Sequence, residues 1–109
     1  MKRESLGEFE HHVLLTVLRL GGESYSVPIV LEMEERTGRE VAQPAVFIAL
    51  QRLEGKGLLT SRLDDHAIGE TGRVRRYFAL TALGKQRLAD ARRAFESLWE
   101  GVEAPSREG

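Results

Sequence analysis

Between Val41 and Gly84 the chain passes from a helical pattern, through two β-prone runs, to the start of another helix, and this order restricts the fold more than any other feature. In Pro44–Glu54, the residues Val46, Leu50 and Leu53 recur at spacings of four and three, which places them on one stripe of a helix. Gly55-Lys56-Gly57 breaks it. The runs Leu58–Leu63 and Val74–Leu80 then read as two strands, separated by a polar segment containing Gly69 and Gly72. A connection of that length predicts a flexible ribbon tip, with Arg73, Arg75 and Arg76 gathered at its second edge.

Two more helices precede this unit and one follows it. Leu6, Phe9, Val13, Leu14, Val17 and Leu18 keep helical spacing, so a first helix is expected from about residue 6 to Leu20, stopped by Gly21-Gly22. A second is expected over Tyr25–Arg36, with Ser24 or Ser26 as its cap, Pro28 in the first turn, and Gly38 as its stop. The last helix is predicted from Thr81 to about Val102. The sum is an α+β chain, mostly α: a winged helix-turn-helix of three helices and a two-stranded wing, followed by a C-terminal helix. The expected division is a winged-helix domain over 1–80, a dimerisation helix over 81–103 and a disordered tail over 104–109.

Five blocks in order carry a family resemblance: Leu6–Glu10, Leu20–Tyr25, Glu34–Val41, Ala45–Leu58 and Gly72–Thr81. Together they resemble the PadR-like transcriptional regulators over about residues 5 to 103. The chain departs from the usual pattern at Tyr25-Ser26, where the family has Tyr-Gly, at Ala42, often a small polar residue, and at Phe47, usually Tyr. These departures touch the recognition surface more than the fold. The resemblance implies a homodimeric, sequence-specific DNA-binding regulator of the repressor type, in some members released by small aromatic compounds.

A chain of 109 residues supports one domain, and its 41% hydrophobic content is enough for a small core. The formal net charge of -1 argues against indiscriminate coating of nucleic acid. The distribution is uneven, however. From Arg73 to Arg93 the basic residues Arg73, Arg75, Arg76, Lys85, Arg87, Arg92 and Arg93 face one acid, Asp90, while the first forty residues are acidic on balance. The absence of cysteine excludes disulfides and thiolate metal sites. No apolar run reaches the ~20 residues that span a bilayer and no signal-peptide core follows Met1, so a cytoplasmic protein with no membrane partner is expected.

With Leu50 at the core centre, helical geometry turns Pro44, Ala45, Ile48, Arg52 and Gly55 outward, with Gln51 flanking. That side is expected to enter the major groove of double-stranded DNA. Arg52 can donate to phosphate or guanine, Gln43 and Gln51 can serve adenine, and Ile48 and Ala45 can meet thymine methyls. Strand alternation sends Arg73 and Arg75 to one ribbon face for phosphate or minor-groove contact, and Arg76 to the other for a structural role. Tyr25 and Ser26, at a helix start, are expected on phosphate. Asp64, Asp65 and Glu70 oppose the wing's positive charge. The competing reading is a solvated helix face on a protein-interaction module without operator binding.

In the last helix Leu88, Ala91, Phe95, Leu98 and Val102 alternate by three and four, a seam for which the chain has no further element, so a partner copy is expected to cover it. Trp99 sits among them. It serves either as a dimer-core anchor or, with Phe95 and Phe9, as the lining of an interface cavity for a flat aromatic effector. Enzymatic readings fare poorly: His11 and His12 point about 100° apart and His66 stands alone, so no metal pair forms. Glu32, Glu34 and Glu35 read as a solvated face, and neither a nucleophile motif nor a phosphate loop occurs. No cofactor is expected.

Overall fold

The structure, a computed structural model, describes residues 6–64 and 74–106. Its elements are α1 (Glu8–Arg19), β1 (Glu23–Ser24), α2 (Ser26–Thr37), α3 (Gln43–Gly55), β2 (Leu59–Asp64), β3 (Arg75–Leu80) and α4 (Ala82–Trp99). The strands form one antiparallel sheet in the order β1-β3-β2. This is the expected mostly helical winged helix, with a third strand added. Glu23 and Ser24 pair with Ala79 and Phe78, a run too short to show strand alternation in sequence.

The three-stranded sheet also corrects the expected cap of the second helix. Ser24 is buried in β1, ahead of the cap position, and donates its hydroxyl to the Tyr25 carbonyl, while Ser26 is already the first helical residue. Tyr25 occupies the cap position with extended backbone and no side-chain cap bond. At the other end Gly38 adopts φ 69°, and its amide closes on the Glu34 carbonyl at 2.9 Å. The Glu34 carboxylate accepts from the Val41 amide at 2.9 Å, fixing the turn into α3.

The core is shared by every helix and by the sheet. Val13, Leu14 and Val17 of α1 meet Ile29 and Met33 of α2, Val46, Ala49, Leu50 and Leu53 of α3, and Phe78 of β3. Its edge is tied by Lys56, whose ammonium donates to Glu10 of α1 at 2.7 Å. Leu88 corrects the predicted seam: it is only 6% exposed and belongs to this core, because the first half of α4 lies against α1 and β3. The helix also stops at Trp99 rather than Val102, with Gly101 at φ 78° reversing the backbone.

One junction locks α4 to the sheet. The Thr81 hydroxyl accepts from the Gly84 amide at 3.0 Å and donates to the Gly57 carbonyl at 2.7 Å, while its amide donates to the Leu58 carbonyl at 3.2 Å. Gly84 permits this approach, since a Cβ built there meets the Leu58 carbonyl oxygen at 2.2 Å. Substituting Gly by Ala inside a helix ordinarily stabilises it by up to about 1 kcal/mol. Here Gly84→Ala is expected to destabilise the fold by about 1–3 kcal/mol, measured by urea unfolding, because the backbone itself must move.

Candidate nucleic-acid interface

α3 buries one stripe and leaves the other for a ligand. Val46, Ala49, Leu50 and Leu53 are buried, whereas Gln43, Pro44, Ala45, Ile48, Gln51 and Arg52 are exposed, with Ile48 at 48%. An apolar side chain so placed beside Gln51 and Arg52 gains nothing from water and suits the methyl-bearing floor of a major groove. Phe47 is held back by an edge-on contact with Phe78, ring centres 6.2 Å apart. Gln43 donates to the Ser26 hydroxyl at 3.3 Å, which fixes the start of α3 against the start of α2.

Beside this helix a groove of about 890 Å³ opens toward the wing, lined by Tyr25, Ser26, Val27, Gln43, Phe47, Leu63, Val74, Arg75 and Arg76. Four sequence-predicted residues thus converge: Tyr25, Ser26, Gln43 and Arg75. Pro44, Ile48, Gln51 and Arg52 continue the surface along α3. Arg73, together with Asp65, His66, Gly69, Glu70 and Gly72, lies outside the described residues, as does 107–109 of the tail.

The two wing faces separate as strand alternation requires. On the face toward α3, Arg76 donates to the Ser61 hydroxyl at 3.0 Å, and Ser61 donates to Glu54 of α3 at 2.7 Å. On the other face the Arg75 guanidinium lies 4.6 Å over the Tyr25 ring, Tyr25 is 5.2 Å from Tyr77, and Arg62 lies 4.8 Å over Tyr77. Arg62 also makes two hydrogen bonds to Glu23, at 3.0 and 3.1 Å, and these hold its guanidinium above the ordinary arginine range. The residues Arg62, Tyr77, Leu63 and Val74 were not singled out by sequence. Tyr25 and Tyr77 are fifty-two positions apart and only the β1–β3 pairing brings them together.

On a separate face, a hollow of about 560 Å³ lies between α1 and α4, lined by His11, Leu15, Leu18, Lys85, Leu88, Ala89, Ala91, Arg92 and Phe95. Beyond it Phe95 is 62% and Leu98 79% exposed, with Trp99 and Val102 also open. Phe95 and Trp99 border a shared surface hollow with Arg92 and Glu96, whereas Phe9 borders another, with Met33 and Val41. Within one chain the three aromatics of the proposed effector site are therefore not one pocket. Among the described residues no group of three or more His, Asp or Glu side chains is placed to hold a metal ion, and no helix is long and apolar enough to cross a membrane.

A profile of the PadR-like transcriptional regulator family matches residues 14–90. The chain belongs to that family. This PadR-like protein is accordingly a DNA-binding transcriptional regulator, and the family is one of regulators rather than enzymes. Among solved structures, a PadR family regulator from Eggerthella lenta is similar with a TM-score of 0.67 and 24% identity, over 83% of this chain and 76% of that one. H. salinarum RosR aligns with a TM-score of 0.72 and 24% identity, over 94% of this chain and 84% of its own. Bacillus subtilis PadR, solved in complex with operator DNA, aligns at 0.63 and 22% identity over 93% of this PadR-like chain but 51% of that chain. A comparison with curated proteins found no match.

Two outcomes follow from the ties of this PadR-like fold. Ser61→Ala is expected to cost about 1 kcal/mol of stability, and Arg76→Ala added to it little more, since both act through one hydroxyl; a double-mutant cycle by thermal unfolding checks this. His11 has its imidazole below the usual range, first because it is buried against α4 and second because of His12, with Lys85 and Arg92 also facing the hollow. A lowered folded-state value means the unfolded chain binds the proton more readily. His11 thus contributes stability that is present above the unfolded imidazole value and is lost as pH falls through the folded one. Unfolding curves between about pH 8 and pH 5 are expected to show that loss, and His11→Gln to flatten it.

Proposed function

We propose that this protein binds an inverted-repeat operator as a symmetric homodimer and represses transcription there. The carrying observation is that a groove lined by Arg75, Tyr25 and Gln43 lies beside the exposed face of α3 that carries Ile48, Gln51 and Arg52, and a major groove admits an α-helix. That Bacillus subtilis PadR was solved in complex with operator DNA supports operator binding by this chain. Arg52 and Gln51 act on base edges, with Ile48 on thymine methyls. Tyr25, Ser26, Arg73 and Arg75 act on phosphates, which supply most of the affinity but little preference. The working compartment of such a regulator is the cytoplasm.

Dimerisation through α4 is supported by the apolar surface that Ala91, Phe95, Leu98 and Val102 present beyond the monomer core, next to the α1–α4 hollow. Two copies joined there by a twofold axis set two reading heads about one helical turn, ~34 Å, apart. Trp99 and Phe95, with Phe9 supplied across the twofold axis, then frame an interface cavity for a flat aromatic effector whose binding loosens DNA by favouring another spacing of the heads. Trp99 fluorescence reports on that cavity.

Selection of duplexes from a random pool by the purified protein is expected to return a dyad-symmetric site; sites without a dyad, or a monomer at micromolar concentration in sedimentation, contradict the reading. Arg52→Ala is expected to weaken binding and relax preference at one position, at a cost of about 1–3 kcal/mol. Arg73→Ala and Arg75→Ala are each expected to weaken all sequences alike and make the salt dependence shallower by about 0.9 in log–log slope. Titration of planar aromatic dyes against Trp99 fluorescence and operator affinity tests the effector, with Trp99→Ala as the control.

A further inference from the structure

Arg62, Tyr77, Tyr25 and Arg75 form one continuous stack on the wing face away from α3. Arg62 lies 4.8 Å over Tyr77, Tyr77 is 5.2 Å from Tyr25, and Arg75 lies 4.6 Å over Tyr25. The four layers come from three segments. Arg62 is on β2, Tyr77 and Arg75 are on β3, and Tyr25 caps α2. The far end is anchored: Glu23 of β1 takes both Arg62 donors, a two-point contact that fixes the plane of the guanidinium as well as its position. The near end borders the groove beside α3, where Tyr25 and Arg75 are both lining residues and Arg62 and Tyr77 are not.

We propose that Tyr77 and Arg62 are positioning residues for DNA binding: they hold Tyr25 and Arg75 as one preformed phosphate-contacting pair and couple the wing to the first turn of α2. The inference rests on the DNA-binding reading given above. Its physical basis is the cost of ordering. An arginine side chain on a solvent-exposed ribbon loses rotamer freedom when it engages phosphate, and a seat on an aromatic face removes part of that loss beforehand. Tyr25 alone, at the helix cap with no cap hydrogen bond, is an unbraced platform. Tyr77 packs against its other side and Arg62 against Tyr77, so the platform is set by the sheet rather than by the loop.

The test is a set of variants measured for affinity to duplex DNA at several salt concentrations, with unfolding curves as the control for folding. Tyr77→Val, which keeps strand propensity, is expected to weaken binding to all duplexes by about three- to tenfold. Tyr77→Phe is expected to restore it. Tyr77→Val with Arg75→Ala is expected to lose less than the sum of the two single losses, because the placement of Arg75 can be lost only once. Arg62→Gln, a second variant that leaves both rings in place, is expected to weaken binding without changing the salt slope, since Glu23 rather than phosphate holds its charge. In the free protein, the ring-current displacement of the Arg75 side-chain proton resonances is expected to disappear in Tyr77→Val.

Additive loss in the Tyr77→Val and Arg75→Ala pair, wild-type affinity in Tyr77→Val, or Arg75 resonances unmoved by that substitution overturns the positioning role while leaving DNA binding intact. A shallower salt slope for Arg62→Gln overturns it also, by making Arg62 a direct phosphate contact. Failure of the unaltered protein to bind any duplex is a different result: it removes the DNA-binding reading itself, and the positioning role with it.

Discussion

The middle strand of the sheet, β3, carries the constraint on which the other elements depend. It pairs with β1 on one side and β2 on the other, and its alternate residues face two environments. Phe78 goes fully into the helical core, where Phe47 meets it edge-on. Tyr77 and Arg75 go to the opposite face and join the stack with Tyr25 and Arg62. A one-residue slip in register exchanges these sets, placing charge in the core and an aromatic hydrophobe in water. The pairing of Ser24 with Phe78 pins β3 from one edge and the Ser61–Phe78 pairing pins it from the other, so the wing is registered by the same residue that anchors the core.

A protein with net charge -1 that addresses a polyanion must keep its acids away from the contact surface. Much of that is achieved by binding the carboxylates to the protein's own cations, hydroxyls and amides. Glu10 accepts from Lys56, Glu23 from Arg62, Glu32 from Arg19 and Arg36, Glu34 from the Val41 amide and Glu54 from Ser61. The hydrogen bonds from Arg19 and then Arg36 hold Glu32 below the usual carboxylate range. Exposed pairs of this kind add little stability. Their larger effect is on the field along α3, where Arg52 has no carboxylate partner among the described residues; on the wing Asp64 stays opposite Arg75 in the β2–β3 ladder.

The helices and the hairpin were legible because each rests on local periodicity: the Val46–Leu50–Leu53 stripe and the Gly55-Lys56-Gly57 break mark α3 without reference to the rest of the chain. What escaped depends on pairing across the sequence. β1 is two residues long and exists only because β3 offers it an edge, and with it went the cap position of α2 and the seat of Tyr25. Leu88 fits the heptad seam by spacing, and only the rotation of α4 about its axis assigns it to the core. The outward face of α3 was readable by the same logic as its inward face. The Arg76–Ser61–Glu54 chain was half readable: alternation sent Arg76 away from Arg75, but its partners come from β2 and α3.

On the proposed reading, the placement of the two exposed surfaces makes a dimer built on α4 sensitive to small changes. α4 has eighteen residues, hence a length of about 27 Å, and its first half is welded to the core through Thr81 and Leu88 while its second half projects. α1 packs against both α3 and α4, so the reading helix and the projecting helix share one rigid neighbour. On that reading a rotation of about 10° at the α4 contact, acting over the projecting half of about 13 Å, displaces the near edge of the core by about 2 Å. The displacement grows with distance from the contact toward the ~3.4 Å rise of one base pair. On the same proposal, a ligand at Phe95 and Trp99 would need to favour only a slightly different packing of the two helices to move the second α3 relative to the first.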